Sequence, residues 1–267
     1  GVAKSFEEIK FAIENDILSI NVESVGEFKR IIQISEDLNK AVNCALRINP
    51  DISTGSHKYI ETGKKTSKFG LDSQAIRTIS ELAIKSELTK ITTIASHIGS
   101  QISDESLILD SLDSMIDVAE ELSRRGHHIE NLDIGGGLGI KYKDENEGDP
   151  KILIDKVKNR LHKTDYKLIL EPGRSVVASS GVLATKIEYI KQAGDKKFAI
   201  IDAGMNDLIR PSLYEAWHAV KEVEAKDIES ETYDLAGPVC ETGDVLAKDR
   251  ELKIRPDDYV VFMDVGA

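Results

Sequence analysis

The sequence predicts an α/β chain that turns into a β chain: an incomplete (β/α)8 barrel of the TIM type, residues 1–173, followed by a mostly antiparallel β domain, residues 174–267. Three observations carry this. Apolar runs alternate with stretches of helical spacing up to about residue 174, which implies right-handed βαβ units and a parallel sheet. The residues suited to chemistry in that part stand at the C-terminal ends of the runs, the face that holds the site in such a barrel and equally in a doubly wound sheet, so position alone does not choose between them. Beyond residue 174 the spacing changes to short β-branched runs split by turn signals, the pattern of antiparallel hairpins.

The opening "GVAKSFEEIKFAIEND" reads as a helix. "ILSINV" (17–22) is a strand, and 24–38 follows with helical spacing and Ser24 as its N-cap. "AVNCALRI" (41–48) is the next strand, stopped by "NP". A polar loop runs through "STGSHKYIETGKKTSKFG" to residue 70. The segment 72–86 is helical, 91–100 is a strand entering a Gly-Ser loop, and 103–125 is a long amphipathic helix ended by Gly126. "NLDIGGGLG" (131–139) is a strand and glycine loop, "KDENEGD" (143–149) a solvated loop, 150–162 a helix and "KLILEPGR" (167–174) a strand with a Pro-Gly exit. In the β part, "GVLATKIEYIKQAGDKKFAIIDAG" holds strands around a "GD" turn, and 258–267 is a further strand.

About five strands precede residue 172, whereas a closed barrel needs eight. The first helix has no strand before it and the last residues stop inside one. The sequence therefore reads as a piece of a longer chain, lacking both ends.

Composition narrows the function. A net charge of −12 over 267 residues repels phosphate backbones and anionic lipid, so nucleic acid and membrane are poor partners. No apolar run approaches the roughly 20 residues of a membrane helix. Cys44 and Cys240 are the 2 cysteines and make no disulfide framework. With no basic-then-apolar leader at the start, the expected compartment is a reducing cytoplasm.

Several short stretches carry chemistry. In "DIGGGLG", Gly135, Gly136 and Gly137 follow a strand directly, and such a loop can point several N–H groups at one anion. It is not the GxGxxG dinucleotide pattern, and glycine runs also serve as plain βα turns. "SHIGSQ" sets His97 at a strand end with Ser100 in the loop, where an imidazole can stack on a flat cofactor or be purely structural. "LEPGR" sets Glu171 at a strand end and Arg174 beyond a Pro-Gly corner: a solvated ion pair, or a carboxylate for a ring nitrogen and a guanidinium for an anion. "IRPSLYEAWH" (209–218) offers Arg210 and Tyr214 as a further anion clamp or a short surface helix. "GPVCETGD" (237–244) frames Cys240 and Glu241 between turn residues, a shaped loop rather than core filler.

Taken in order, "VAKS", "NVES", "LRINP", "TGKKTSKFG", "SHIGSQI", "DIGGGLGI", "EPGRS", "RPSLYEAWH", "GPVCETGDVLAKDREL" and "DVGA" resemble the diaminopimelate decarboxylases, of the pyridoxal-phosphate group with an alanine-racemase-like barrel. They span essentially the whole chain. The resemblance implies decarboxylation of meso-2,6-diaminopimelate to L-lysine with pyridoxal 5'-phosphate as cofactor. It implies that His97 stacks on the cofactor ring, that Ser100 and Gly135–Gly137 hold its phosphate, with Gly173 and Arg174 completing the cofactor site, and that Glu171 faces the pyridine nitrogen. Arg174, Arg210 and Tyr214 would bind the distal carboxylate and Glu241 the distal amino group. Cys240 would be the proton donor, reaching a partner's active site in a homodimer. No metal is implied.

Two departures matter. The Schiff-base lysine of the resemblance, in a stretch like "Y-A-x-K-A-N", is not found, so this chain alone is expected to be inactive. A Tyr that follows "DVGA" in the family lies beyond Ala267, and Thr242 stands where many members have Ser. Two alternatives stay open: a decarboxylase of ornithine, lysine or arginine, and a non-catalytic homologue that has lost the lysine. Arg210 would repel a distal cation, and members acting on such amines typically carry Asp after the cysteine; Glu241 and Arg210 together favour a distal end with both carboxylate and ammonium.

Overall fold

A computed structural model of the chain describes residues 1–50, 68–145 and 148–267. Most of the loop from "STGS" to "KKTS" thus lies outside the described residues. The chain divides into two compact units. The first comprises Gly1–Gly139 and Gly148–Pro172; the second comprises Gly173–Ala267 with a short segment that begins at Ile140.

The first unit is an arc of a (β/α)8 barrel. Five strands, β1 (Ile20–Val22), β2 (Val42–Arg47), β3 (Thr89–Ala95), β4 (Asn131–Asp133) and β5 (Lys167–Ile169), form one parallel sheet in sequence order. Helix α1 (Phe6–Glu14) precedes them, and α2 (Val25–Leu38), α3 (Ser73–Lys85), α4 (Glu105–Arg124) and α5 (Pro150–Leu161) fill the crossovers. Each helix starts where a short polar side chain caps it. Ser5 and Glu8 make a reciprocal capping box, Ser24 caps α2, and Asp72, Asp104 and Asp149 cap the others. In α4, Ile108, Leu112, Met115, Ala119 and Leu122 recur at helical spacing and are all buried, so one face joins the core with Phe28, Ile31, Ile94 and Leu132.

Register decides where the chemistry can stand. Val22 pairs with Leu46, Arg47 with Ala95, Ala95 with Asp133 and Asp133 with Ile169. The strands therefore end level, and Glu23, Arg47, His97, the Gly135–Gly137 loop and Glu171 leave the sheet along one rim.

The second unit holds six strands: β6 (Leu183–Ala193), β7 (Lys196–Ile201), β8 (Val220–Glu222), β9 (Glu231–Ala236), β10 (Val245–Leu252) and β11 (Tyr259–Phe262), in the order β10-β9-β7-β6-β11-β8. Two short helices, α6 (Arg174–Val177) and α7 (Arg210–Tyr214), sit in its connections. Ile187, Ile201, Leu235, Leu246, Val260 and Phe262 form its core. The β6–β7 hairpin turns at Gly194, which takes φ +60°, a conformation glycine adopts without strain. Pairing is antiparallel except between β7 and β9, which run parallel.

Details differ from the sequence expectation. β1 begins at Ile20 rather than residue 17, because Ile17 and Leu18 are exposed. β3 spans Thr89–Ala95 rather than 91–100, and the final strand stops at Phe262. Among the described residues no helix is long and apolar enough to cross a membrane.

Candidate active site

The rim of the first unit is a polar network built on backbone. Gly135 N–H donates to Asp133 Oδ1 at 2.9 Å, an Asx-type turn that starts the glycine loop. Gly136 N–H donates to His97 Nδ1 at 3.3 Å. Glu171 N–H donates to Gly135 O at 2.8 Å, so the loop is stitched to the end of β5. The approach is too close for a side chain: a Cβ on Gly136 would lie 2.2 Å from Glu171 O. Gly137, at φ +109°, would place one 2.2 Å from Gly99 O. Asn21 Nδ2 donates to Glu171 Oε1 at 3.4 Å. Beside them Arg47 Nη1 donates to Glu23 Oε1 at 2.6 Å, and Gly70 N–H donates to Glu23 Oε2 at 2.8 Å.

Burial and charge tune these groups. Asp133 is buried, and its carboxyl is pushed up to about 6, first by burial and then by the neighbouring Glu171. His97 is held below the usual imidazole range by burial and by the Arg47 guanidinium. Its Nδ1 accepts a hydrogen bond, so the neutral ring carries its proton on Nε2. The rim thus offers a flat neutral ring, a loop of backbone donors beside the Ser100 loop, and an exposed carboxylate, that of Glu171, next to a second one that resists ionising. A flat, anionic, ring-nitrogen cofactor suits that set of groups.

The second unit gathers a different group. Arg210 opens α7; its guanidinium lies 4.5 Å from the ring centroid of Tyr142, and Nη1 is 2.8 Å from His218 Nε2. Burial, with Arg174 adding like charge, lowers its pKa, but a guanidinium stays charged. Tyr214 closes the same helix, and Arg174 and Gly173 lie at the start of α6. Cys240 and Glu241 are exposed on the loop between β9 and β10. One buried carboxylate shapes that loop: Asp244 Oδ2 accepts Val239 N–H at 2.7 Å and Oδ1 accepts Met205 N–H at 2.6 Å. Gly237 is required there, since a Cβ would lie 2.5 Å from Asp244 Oδ2 and 2.6 Å from Ala203 O.

His97, Gly135–Gly137 and Glu171 are therefore brought together in the first unit. Arg174, Arg210 and Tyr214 belong to the second, as does the Cys240–Glu241 loop. Sequence reasoning missed Asn21, Glu23, Arg47 and Asp133, and in the second unit Tyr142, His218 and Asp244. Asp133 was findable, because Asp two residues before a glycine is an Asx-turn signal. The others act through partners distant in sequence.

Comparisons with known proteins find relatives over the whole chain. The family described as "Pyridoxal-dependent decarboxylase, pyridoxal binding domain" matches residues 1–178. The diaminopimelate decarboxylase of Aquifex aeolicus is 43% identical over 269 residues, covering 100% of this chain and 64% of that protein. That of Pseudomonas aeruginosa is 40% identical, with the same coverage. The chain thus spans about 64% of the length of these curated relatives. Among solved structures, diaminopimelate decarboxylase from Helicobacter pylori complexed with L-lysine superimposes with a TM-score of 0.93 at 38% identity, over 100% of this chain and 67% of that one. A Paramecium bursaria Chlorella virus arginine decarboxylase, 20% identical with a TM-score of 0.85 over 99% of this chain and 70% of that one, shares the fold.

Proposed function

The chain belongs to the pyridoxal-dependent decarboxylases, and from that premise we propose that protein of full family length decarboxylates meso-2,6-diaminopimelate to L-lysine. The observation that carries the substrate choice is Arg210. Its charge meets an aromatic face and an imidazole, and among the described residues no carboxylate pairs with it, so it remains available to an incoming carboxylate. Relatives at 40–43% identity bear the diaminopimelate decarboxylase name, which supports the same reading.

Pyridoxal phosphate, when bound, supplies the electron sink that lets a carboxylate leave as carbon dioxide. In our reading the first unit is the cofactor-binding part. The His97 ring stacks on the cofactor, while Ser100 and the N–H groups of Gly135–Gly137 take the phosphate, helped by Gly173 and Arg174. Glu171 holds a proton on the ring nitrogen. Asp133 accepts Gly135 N–H and so shapes the start of the glycine loop beside it. The second unit carries substrate and interface loops. Arg210, Arg174 and Tyr214 hold the distal carboxylate, and Glu241 takes the distal ammonium. The Cys240 thiol delivers the proton that replaces the lost carboxylate, as a general acid on a shaped loop. Cys240 serves a partner's site in a homodimer in the cytoplasm, a reading that its exposure supports. Sedimentation checks the assembly: a dimer is expected, and a compact monomer with full activity would contradict it.

Substitution tests the substrate reading. A charge-assisted hydrogen bond is worth roughly 1.5–3 kcal/mol, and each 1.4 kcal/mol is about tenfold. Arg210→Ala should therefore lower kcat/KM for diaminopimelate by about one to two decades. Turnover of lysine, which lacks that carboxylate, should hold or rise. Unchanged diaminopimelate turnover would refute the assignment. Cys240→Ala should instead lower kcat more than it raises KM.

A further inference from the structure

We infer that His218 and Tyr142 are positioning residues that hold Arg210 without neutralising it, and that this charge-preserving clamp sets the preference for a dicarboxylate substrate. The inference rests on the reading of Arg210 given above.

The geometry leaves one protonation pattern. His218 is fully buried. A guanidinium has donors only, so the 2.8 Å contact makes His218 Nε2 the acceptor of the Arg210 Nη1 proton. His218 Nδ1 lies 2.9 Å from Met263 O, which only accepts, so Nδ1 carries the ring proton. Both contacts are satisfied by the neutral Nδ1–H tautomer and by no other form. Burial, followed by the charge of Arg210, holds the imidazole below its usual range in keeping with this. The ring stands edge-on to Tyr142 at 5.1 Å and 75°, and Tyr142 offers its face to the guanidinium. Arg250 anchors the segment from behind: its Nη2 donates to His218 O at 3.1 Å and its guanidinium stacks 4.5 Å from the Trp217 ring.

Both partners of Arg210 are neutral. A carboxylate in either place would orient the guanidinium equally well, but it would cancel the charge and compete with the substrate. A neutral ring nitrogen and a π face fix the orientation and leave the charge whole. Two groups in the clamp, Arg210 Nε and the Tyr142 hydroxyl, are buried with no hydrogen-bond partner among the described residues.

The test compares a ligand that has the distal carboxylate with one that lacks it, in protein of full family length. In His218→Leu the KM for diaminopimelate should rise about tenfold or more with kcat changed little. The inhibition constant of 1,5-diaminopentane, which has the same amines and no carboxylate, should stay put, whereas that of lysine, whose carboxylate is the distal one retained in the reaction, should rise with the KM. His218→Gln, which restores an amide acceptor, should recover most of the loss, and Tyr142→Leu should act like His218→Leu. A parallel rise in the 1,5-diaminopentane constant, or an unchanged KM, would overturn the clamp. If Arg210→Ala itself leaves the KM unchanged, the carboxylate reading fails instead. Should His218→Leu not fold, 15N NMR of the unsubstituted protein decides. A neutral Nδ1–H ring at His218 between about pH 6 and 8 supports the proposal, and an imidazolium or an Nε2–H ring overturns it.

Discussion

The chain carries two glycine-framed loops, held in different ways. The Gly135–Gly137 loop is held on both sides of its chain: Gly135 O accepts Glu171 N–H and Gly137 O accepts Ile102 N–H, Gly135 and Gly136 N–H donate to the Asp133 and His97 side chains, and Gly136 has no space for a methyl group. The loop that presents Cys240 is centred on the buried Asp244 carboxylate, which accepts from both Val239 and Met205, with main-chain bonds from Glu241 N–H to Val239 O and from Asp244 N–H to Glu241 O. At its far end Gly243 has nothing within 4 Å of where a Cβ would stand. The first arrangement leaves no room for a side chain at any of its three glycines. The second leaves open space at Gly243. That suits a fixed anion cradle on one side and a thiol that adjusts to its target on the other.

Substitutions that separate these two designs should differ in size. The largest effect is expected for Asp244→Ala, which strands two backbone donors that hydrogen-bond to a charged group. Chemical unfolding should show a loss of about 3 kcal/mol or more, with Cys240 reacting faster with thiol reagents. A loss comparable to an ordinary surface substitution would mean that the loop holds itself. Next comes Gly136→Ala. The added methyl must push Glu171 O away, a form of overpacking that costs about 1–3 kcal/mol. Added pyridoxal phosphate should then raise the melting temperature less than it does in the unsubstituted protein.

Asp133→Asn should act in the opposite direction. The folded pKa of Asp133 is raised above its unfolded value. Its favourable contribution is therefore fully present below about pH 4 and is lost as pH rises through about 6. Asparagine keeps an oxygen for Gly135 N–H and removes the charge. At pH 7 the variant should be more stable by about 1–2 kcal/mol, with the gain vanishing near pH 4. A stability difference that does not vary with pH would show that Asp133 is ionised normally. The smallest effect belongs to Gly243→Ala, expected within about 0.5 kcal/mol of the unsubstituted protein. A large loss there would erase the contrast between the two loops.

The sequence made the first unit legible and the second only in part. Its strands are apolar runs separated by capped helices, and each cap is a Ser or Asp standing where the helical spacing starts, as at Ser24 and Asp104. In the second unit β9, "ETYDLA", and β10, "VLAKDREL", were not recognised, because charges interrupt the alternation that marks a strand. The parallel pairing of β7 with β9 depends on a crossover of about thirty residues, which no local pattern encodes. The same contrast holds for the site. Gly135–Gly137, His97 and Glu171 stand in short motifs at strand ends, where their types announce themselves. Glu23 meets Arg47 and Gly70, and His218 meets Arg210 and Met263, across distances in sequence that leave no spacing to read.

The most direct test of the account is a substrate panel: carbon dioxide release from meso-diaminopimelate, lysine and ornithine by protein of full family length carrying this chain, with pyridoxal phosphate supplied. The account predicts that diaminopimelate is preferred by about two decades or more in kcat/KM, on the strength of charge-assisted contacts worth about 1.5–3 kcal/mol each. Equal or faster release from ornithine or lysine would contradict it, and would return the protein to the amine decarboxylases that share its fold.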